Sequence, residues 1–153
     1  MAAVPRRVIV EVLAARAVIP NVTTYVRKVG TLANGQTLNP PTISSNDLRV
    51  KPYIVLYPSP GIPGPDERLG GDRVGLGETF QLSCVVGEEK AIDLLIDAVT
   101  SRFDEWRPVL PAPYDTLPIG RTRLLNDVMP RPDEDEKPPR YWVPLVYGLV
   151  VNN

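Results

Sequence analysis

The sequence predicts an α+β fold, with two helices packed on one face of a mixed or antiparallel β-sheet and long loops projecting from it, and three observations carry this. GETFQLSCVVG at 77–87 alternates apolar and polar residues with a period of two. The stretch that follows at once, 88–106, carries apolar residues at helical spacing. Two further runs, KPYIVLY at 51–57 and RYWVPLVYGLVV at 140–151, are apolar and bounded by proline or charge, as strands buried in a sheet are.

In chain order, 8–18 predicts the first helix. Val8, Ile9, Val12 and Leu13 fall close to one face, Ala14, Ala15 and Ala17 favour helix, and Pro20 ends it. NVTTYVRKV at 21–29 is rich in β-branched residues and predicts a strand, followed by a tight reversal at Asn34-Gly35 and a proline-broken loop, LNPPTISSND. After the strand KPYIVLY, the alternation in 77–87 sends Phe80, Leu82, Cys84 and Val86 to one face and Thr79, Gln81, Ser83 and Val85 to the other.

In the long helix, Glu88 and Glu89 occupy the first turn, at the positive end of the helix dipole. Leu95, Val99, Phe103 and Trp106 form a stripe with Ala91, Leu94 and Ala98 beside it, while Lys90, Asp93, Asp97 and Arg102 face water. IGRTRLL at 119–125 predicts a further strand, and RPDEDEK at 131–137 a charged break. The final run is too apolar for a strand with one solvated face, so one face meets the helices and the other a neighbouring subunit. Pro144 within it points to an edge position or a bulge. One domain spans 1–153, with long loop regions at 58–76 and 108–139.

Composition narrows the function. With 17 basic and 18 acidic residues, nothing suggests binding to nucleic acid by phosphate neutralisation. Histidine is absent, which removes the commonest general base and the commonest metal ligand together. The single cysteine, Cys84, lies in an apolar run and reads as a buried, inert thiol. Glu11 and Arg16 interrupt the N-terminal apolar run, so no secretory signal and no membrane span is expected there, and the Asn21-Val22-Thr23 sequon carries no weight.

No motif predicts catalysis, a cofactor or a metal. Leu69-Gly70-Gly71 and Val74-Gly75-Leu76-Gly77 are followed by a strand rather than by a helix N-terminus that could receive phosphate. Asp133, Glu134, Asp135 and Glu136 lack the spacing and glycine turn of a calcium loop. Asp66 and Glu67 are adjacent and point apart, as do Asp104 and Glu105, so neither makes an acid/base pair. A rival reading is a small anion-binding module or enzyme that closes its glycine-rich segment over a ligand through Arg68 and Arg73. Asp66, Glu67 and Asp72 neutralise most of that charge.

PYIVLYP, then GETFQLSCVVGEEKAIDLLIDAVTSRFDEWRP, then RYWVPLVYGLVV together resemble, in order and spacing, the tail terminator (tail-completion) proteins of long-tailed bacteriophages. The resemblance covers most of the chain, with the segments at 58–76 and 108–139 longer than in the shorter members. It implies a virion protein of the head-tail junction, assembled in the host cytoplasm. Such a protein forms a homo-oligomeric ring, a hexamer in that family, that caps the tail tube protein and meets the head-tail connector or stopper protein. Genomic DNA passes through the ring without sequence-specific binding, and no membrane is involved. Another neck component, an adaptor or stopper, would share size and composition. On this reading PSPGIPGPDERLGGDRVG, half of it glycine or proline, is an assembly arm. Asp66, Glu67, Arg68, Asp72 and Arg73 within it, and Asp133, Glu134, Asp135 and Glu136, are the candidate assembly contacts.

Overall fold

The computed structural model describes residues 4–31, 37–58, 62–63, 75–116, 119–126, 129–133 and 138–152. Helix α1 (Arg6–Arg16) leads into β1 (Thr23–Val26), a two-strand hairpin of β2 (Gly30–Thr31) and β3 (Thr37–Leu38), and β4 (Tyr53–Pro58). Strands β5 (Ile62–Pro63) and β6 (Gly75–Val86) precede α2 (Ala91–Phe103). Short strands β7 (Arg123–Leu124) and β8 (Arg131–Asp133) come before β9 (Arg140–Asn152). The main sheet runs β1-β4-β6-β9-β7, with β5 also beside β6 and β8 also beside β9. Only β1 and β4 pair in parallel; the other pairs are antiparallel, so the sheet is mixed. A parallel pair needs a long crossover, and residues 27–52 supply it.

Both helices bury their apolar stripes on the same sheet face. Val8, Ile9, Leu13 and Ala14 of α1 and Ile92, Leu95, Val99 and Phe103 of α2 share one core with Ile54, Leu56, Phe80, Leu82, Cys84, Val86, Val143, Leu145 and Tyr147. The period-two alternation of β6 is therefore realised as the sequence predicts. Phe80, Phe103 and Tyr147 form its aromatic centre, with ring centroids 5.5 to 5.7 Å apart. Two helical predictions are corrected. Leu94 is 74% exposed rather than set beside the stripe, and Glu88 and Glu89 form a turn ahead of α2 instead of its first turn.

Several boundaries differ, each for a local reason. Helix α1 stops at Arg16, where the chain bends to let Thr24 Oγ1 donate to the Ala17 carbonyl at 2.8 Å. Strand β1 ends at Val26 because Arg27 adopts a left-handed φ of 68°. The Asn34-Gly35 reversal lies outside the described residues, although the strands on either side of it pair. The predicted strand at 119–125 shrinks to two residues because Thr122 serves the end of α2 instead. Its N–H donates to the Trp106 carbonyl at 2.8 Å, its carbonyl accepts from Glu105 N–H at 3.0 Å, and its hydroxyl donates to the Phe103 carbonyl. Glu105, with a φ of 55°, turns the chain out of the helix there. The charged break contains a strand, β8, and the segment at 58–76 is not loop throughout, since Ile62 and Pro63 pair with Gly77 and Leu76.

The last turns of the two helices lie side by side and cap each other. Arg16 Nε donates to the Arg102 carbonyl at 2.8 Å, and Arg102 Nε donates to the Arg16 carbonyl at 2.7 Å. The Arg16 guanidinium also sits 5.3 Å from the centroid of the Trp106 ring. Arg102 is thus half-buried, not fully in water. Cationic groups at helix C-termini offset the partial negative charge of the terminal carbonyls.

Strand β9 is interior, flanked by β6 on one side and by β7 and β8 on the other. Pro144 nevertheless sits in an edge-like position, as its missing N–H requires. Its carbonyl accepts from Asn126 Nδ2 at 2.8 Å, and Asn126 Oδ1 accepts from Val146 N–H at 2.8 Å, in the gap between β7 and β8. Residue 144 therefore turns its backbone groups away from β6, and no ladder bond to β6 is lost.

Gly87 joins β6 to the turn before α2 against the Val50 backbone. A Cβ there would stand 2.6 Å from the Val50 oxygen and 2.8 Å from its nitrogen. Gly87→Ala is expected to destabilise the fold by about 1–3 kcal/mol through overpacking. Thermal denaturation checks this as a midpoint lowered by several degrees, at roughly 2–4 °C per kcal/mol.

Candidate assembly surfaces

The sheet face opposite the helices carries a second, smaller apolar cluster of Tyr25, Val50, Tyr53, Val55 and Val85, with Trp142 packed against it. Register builds it: Tyr53 stands opposite Val85 and Val85 opposite Trp142, while Val55 lies between Tyr25 and Ser83. Tyr25 and Tyr53 meet edge to face with centroids 5.6 Å apart. Arg140 Nη1 donates to Tyr53 Oη at 3.1 Å and its guanidinium lies 5.9 Å from the ring centroid. Beyond this cluster Val29, Tyr57, Gln81 and Ser83 complete a shallow depression across β4, β6 and β9. Tyr57 is 40% exposed, so aromatic surface is open to solvent here.

Tyr25 Oη is buried and meets no hydrogen-bond partner among the described residues. Burial first, and the neighbouring Tyr53 second, raise the Tyr25 phenol above its ordinary range, while Arg140 opposes them. The phenol therefore stays neutral.

A second depression lies where β6 meets α2, lined by Arg49, Gly87, Glu88, Glu89, Lys90, Pro138, Pro139 and Tyr141. Arg49 bridges two carboxylates there, Asp47 at 2.6 Å and Glu88 at 2.7 Å. The Arg49 hydrogen bonds hold the Asp47 carboxyl below its usual range. All three side chains are substantially exposed, so the network orients the loop rather than stabilising it strongly.

Asp66, Glu67, Arg68, Asp72, Arg73, Glu134, Asp135 and Glu136 lie outside the described residues. Asp133 stands in β8 opposite Arg140, at the outer flank of β9. Asp104 accepts from Tyr147 Oη at 2.9 Å, which gives this carboxylate a structural partner. The aromatic cluster on this face was legible only in part. The two-sided apolarity of 140–151 signals it, but the matching contributions of Tyr25, Tyr53, Tyr57 and Val85 depend on register.

Among the described residues no group of three or more His, Cys, Asp or Glu side chains is placed to hold a metal ion. Among them, too, no helix is long and apolar enough to cross a membrane.

No protein-family model matches the chain, and no curated protein matches it. A solved structure of a protein without a functional name is similar, with a TM-score of 0.53 at 15% sequence identity. The similarity covers 97% of this chain and 93% of that one. At that identity it shows the fold alone: the α+β arrangement extends over nearly the whole chain.

Cys84 faces the helix-covered core, and burial pushes its thiol up to about 12 from an ordinary 9.0. A disulfide reagent at pH 8 is therefore expected to label the denatured chain and leave the native chain unmodified. The unfolded thiol ionises first, so this group leaves stability unchanged below about pH 9 and lowers it as pH rises towards 12. A denaturant titration series across that window checks the sign.

Proposed function

We propose that the chain is a structural subunit of the head-tail junction of a long-tailed phage, a tail terminator that assembles into a ring on the end of the tail tube. The observation that carries this reading is the depression on the sheet face opposite the helices, where exposed Val29 and Tyr57 and half-buried Gln81 and Trp142 surround the buried Tyr53, Val55 and Val85. Partly exposed aromatic surface of this kind suits a contact with another protein. The sequence resemblance, which spans 52–58, 77–108 and 140–151, indicates which kind of protein. Helices on one side and an open sheet on the other give a subunit two unlike surfaces. A cyclic assembly joins unlike surfaces head to tail. The role is mechanical: the ring ends tube polymerisation and offers its other side to the connector. A net charge of −1 suits a channel through which DNA slides without sticking.

Light scattering and negative-stain microscopy of the purified chain are expected to give rings, and antibody on virions is expected to label the head-tail junction. Tyr57→Asp with Gln81→Lys, on paired positions of the open face, should leave the far-ultraviolet circular dichroism unchanged while abolishing rings. A strict monomer at high concentration that does not bind tube ends would sink the proposal. Label along the shaft would instead indicate a tube protein.

A further inference from the structure

The last turns of α1 and α2 hold two arginines against each other without a counter-charge. Arg16 and Arg102 each use Nε on the other's main-chain carbonyl. Among the described residues their terminal amino groups meet no acceptor, and neither side chain meets a carboxylate. Both are half-buried, and the Trp106 ring backs the Arg16 guanidinium at 5.3 Å.

The helix dipoles do not neutralise this pair. Each helix C-terminus supplies roughly half a negative charge, so two of them leave about one unit of positive charge over from two guanidiniums. Burial first, and the like charge of Arg102 second, lower the Arg16 pKa, as expected of a cation held beside another.

The positive charge continues outward from the pair. Thr122 bonds to the Trp106 carbonyl and to Glu105 N–H, which brings 121–123 alongside 105–107. The segments meeting here, residue 16, 102–107 and 121–123, carry five arginines and two carboxylates. Arg107, Arg121 and Arg123 are exposed and form no ion pair among the described residues. Of the carboxylates, Asp104 accepts from Tyr147, and Glu105 belongs to the left-handed turn that leaves α2. A chain with a net charge of −1 therefore has one distinctly positive end.

We infer that Arg16 and Arg102 form a phosphate-binding site at the joined helix ends. A carboxylate carries one charge and two oxygens in a plane, which a single guanidinium fork satisfies. Two forks fixed on different helices suit an anion with more charge and with acceptor oxygens pointing in several directions, as a phosphate has. The carbonyl bonds and the Trp106 ring already hold the forks, so little ordering is left for binding to impose. The phosphate is either free or part of a nucleic acid backbone, whose neighbouring phosphates Arg107, Arg121 and Arg123 would take. The site is built within one subunit and does not require the ring proposed above.

Titration calorimetry of the full chain with inorganic phosphate, in chloride buffer of fixed ionic strength, reads the site directly. One phosphate should bind per chain, and acetate should bind more weakly. Arg16→Lys with Arg102→Lys keeps both charges but removes the forks, and should weaken phosphate binding roughly tenfold. Should that variant not fold, the native chain gives a second readout: its thermal midpoint should be higher in phosphate than in chloride at equal ionic strength.

A short DNA duplex separates the two sources. Duplex binding that falls with Arg107→Gln, Arg121→Gln and Arg123→Gln together, while free phosphate still binds, assigns the site to a backbone; phosphate binding without duplex binding assigns it to the free anion. Equal phosphate binding by the lysine variant, acetate binding as tight as phosphate, or a midpoint indifferent to phosphate overturns the site. A chain that stays monomeric and binds phosphate upholds the site and removes the ring, whereas rings without phosphate binding do the reverse.

Discussion

The antiparallel pairing of β6 with β9 is the constraint on which the rest of the chain depends. These two strands are in register from Gly75 opposite Asn152 to Val86 opposite Tyr141, and every other strand of the main sheet is added outside them. The register decides what meets α2. It places Phe80 beside Tyr147 under Phe103, so that the helix leaving β6 returns over its own strand and is fastened at its far end. A slip of one residue would carry the β9 side chains to the wrong face, setting Trp142 and Val146 against the helices in place of Val143, Leu145 and Tyr147. Both the covered core and the open aromatic face are thus products of one alignment.

The elements with strong periodicity were legible in the sequence: Phe80 to Val86 alternate, and Leu95, Val99 and Phe103 make a stripe, because burial on one face imposes those periods. What escaped depends on contacts far away in the chain. The strand expected at 119–125 is shortened because Thr122 bonds to 103–106, a demand no local pattern reveals. Leu94 looks like a core residue by type but falls on the outer side of α2. The β8 strand hides in a charged, proline-containing stretch, since an edge strand with one neighbour needs neither apolar residues nor every N–H. For the assembly surfaces, the candidate contacts read from the sequence lie outside the described residues except for Asp133, and the grouping of Tyr57, Gln81 and Trp142 across β4, β6 and β9 depends on register that no local pattern reveals.

The surfaces brought together by the fold differ in physical character. The sheet face opposite the helices exposes apolar surface only in part, around Tyr57, Val29 and Trp142, over a buried cluster. The arginine pair differs in kind, since each guanidinium is fixed on the last turn of the other helix and so ties the ends of α1 and α2 together.

The Asn126 side chain, inserted between β7 and β8, has a consequence for how sheets from different subunits can meet. Its amide occupies the hydrogen-bonding groups of Pro144 and Val146 that a continuous neighbouring strand would otherwise take. The flank of β9 is consequently sealed by one side chain and two short, interrupted strands, with no long run of free backbone for another copy to extend. At this flank, an assembly of the kind proposed would join through faces and ends, and its subunit number would be limited by angles between rigid bodies instead of growing without end as a shared sheet would.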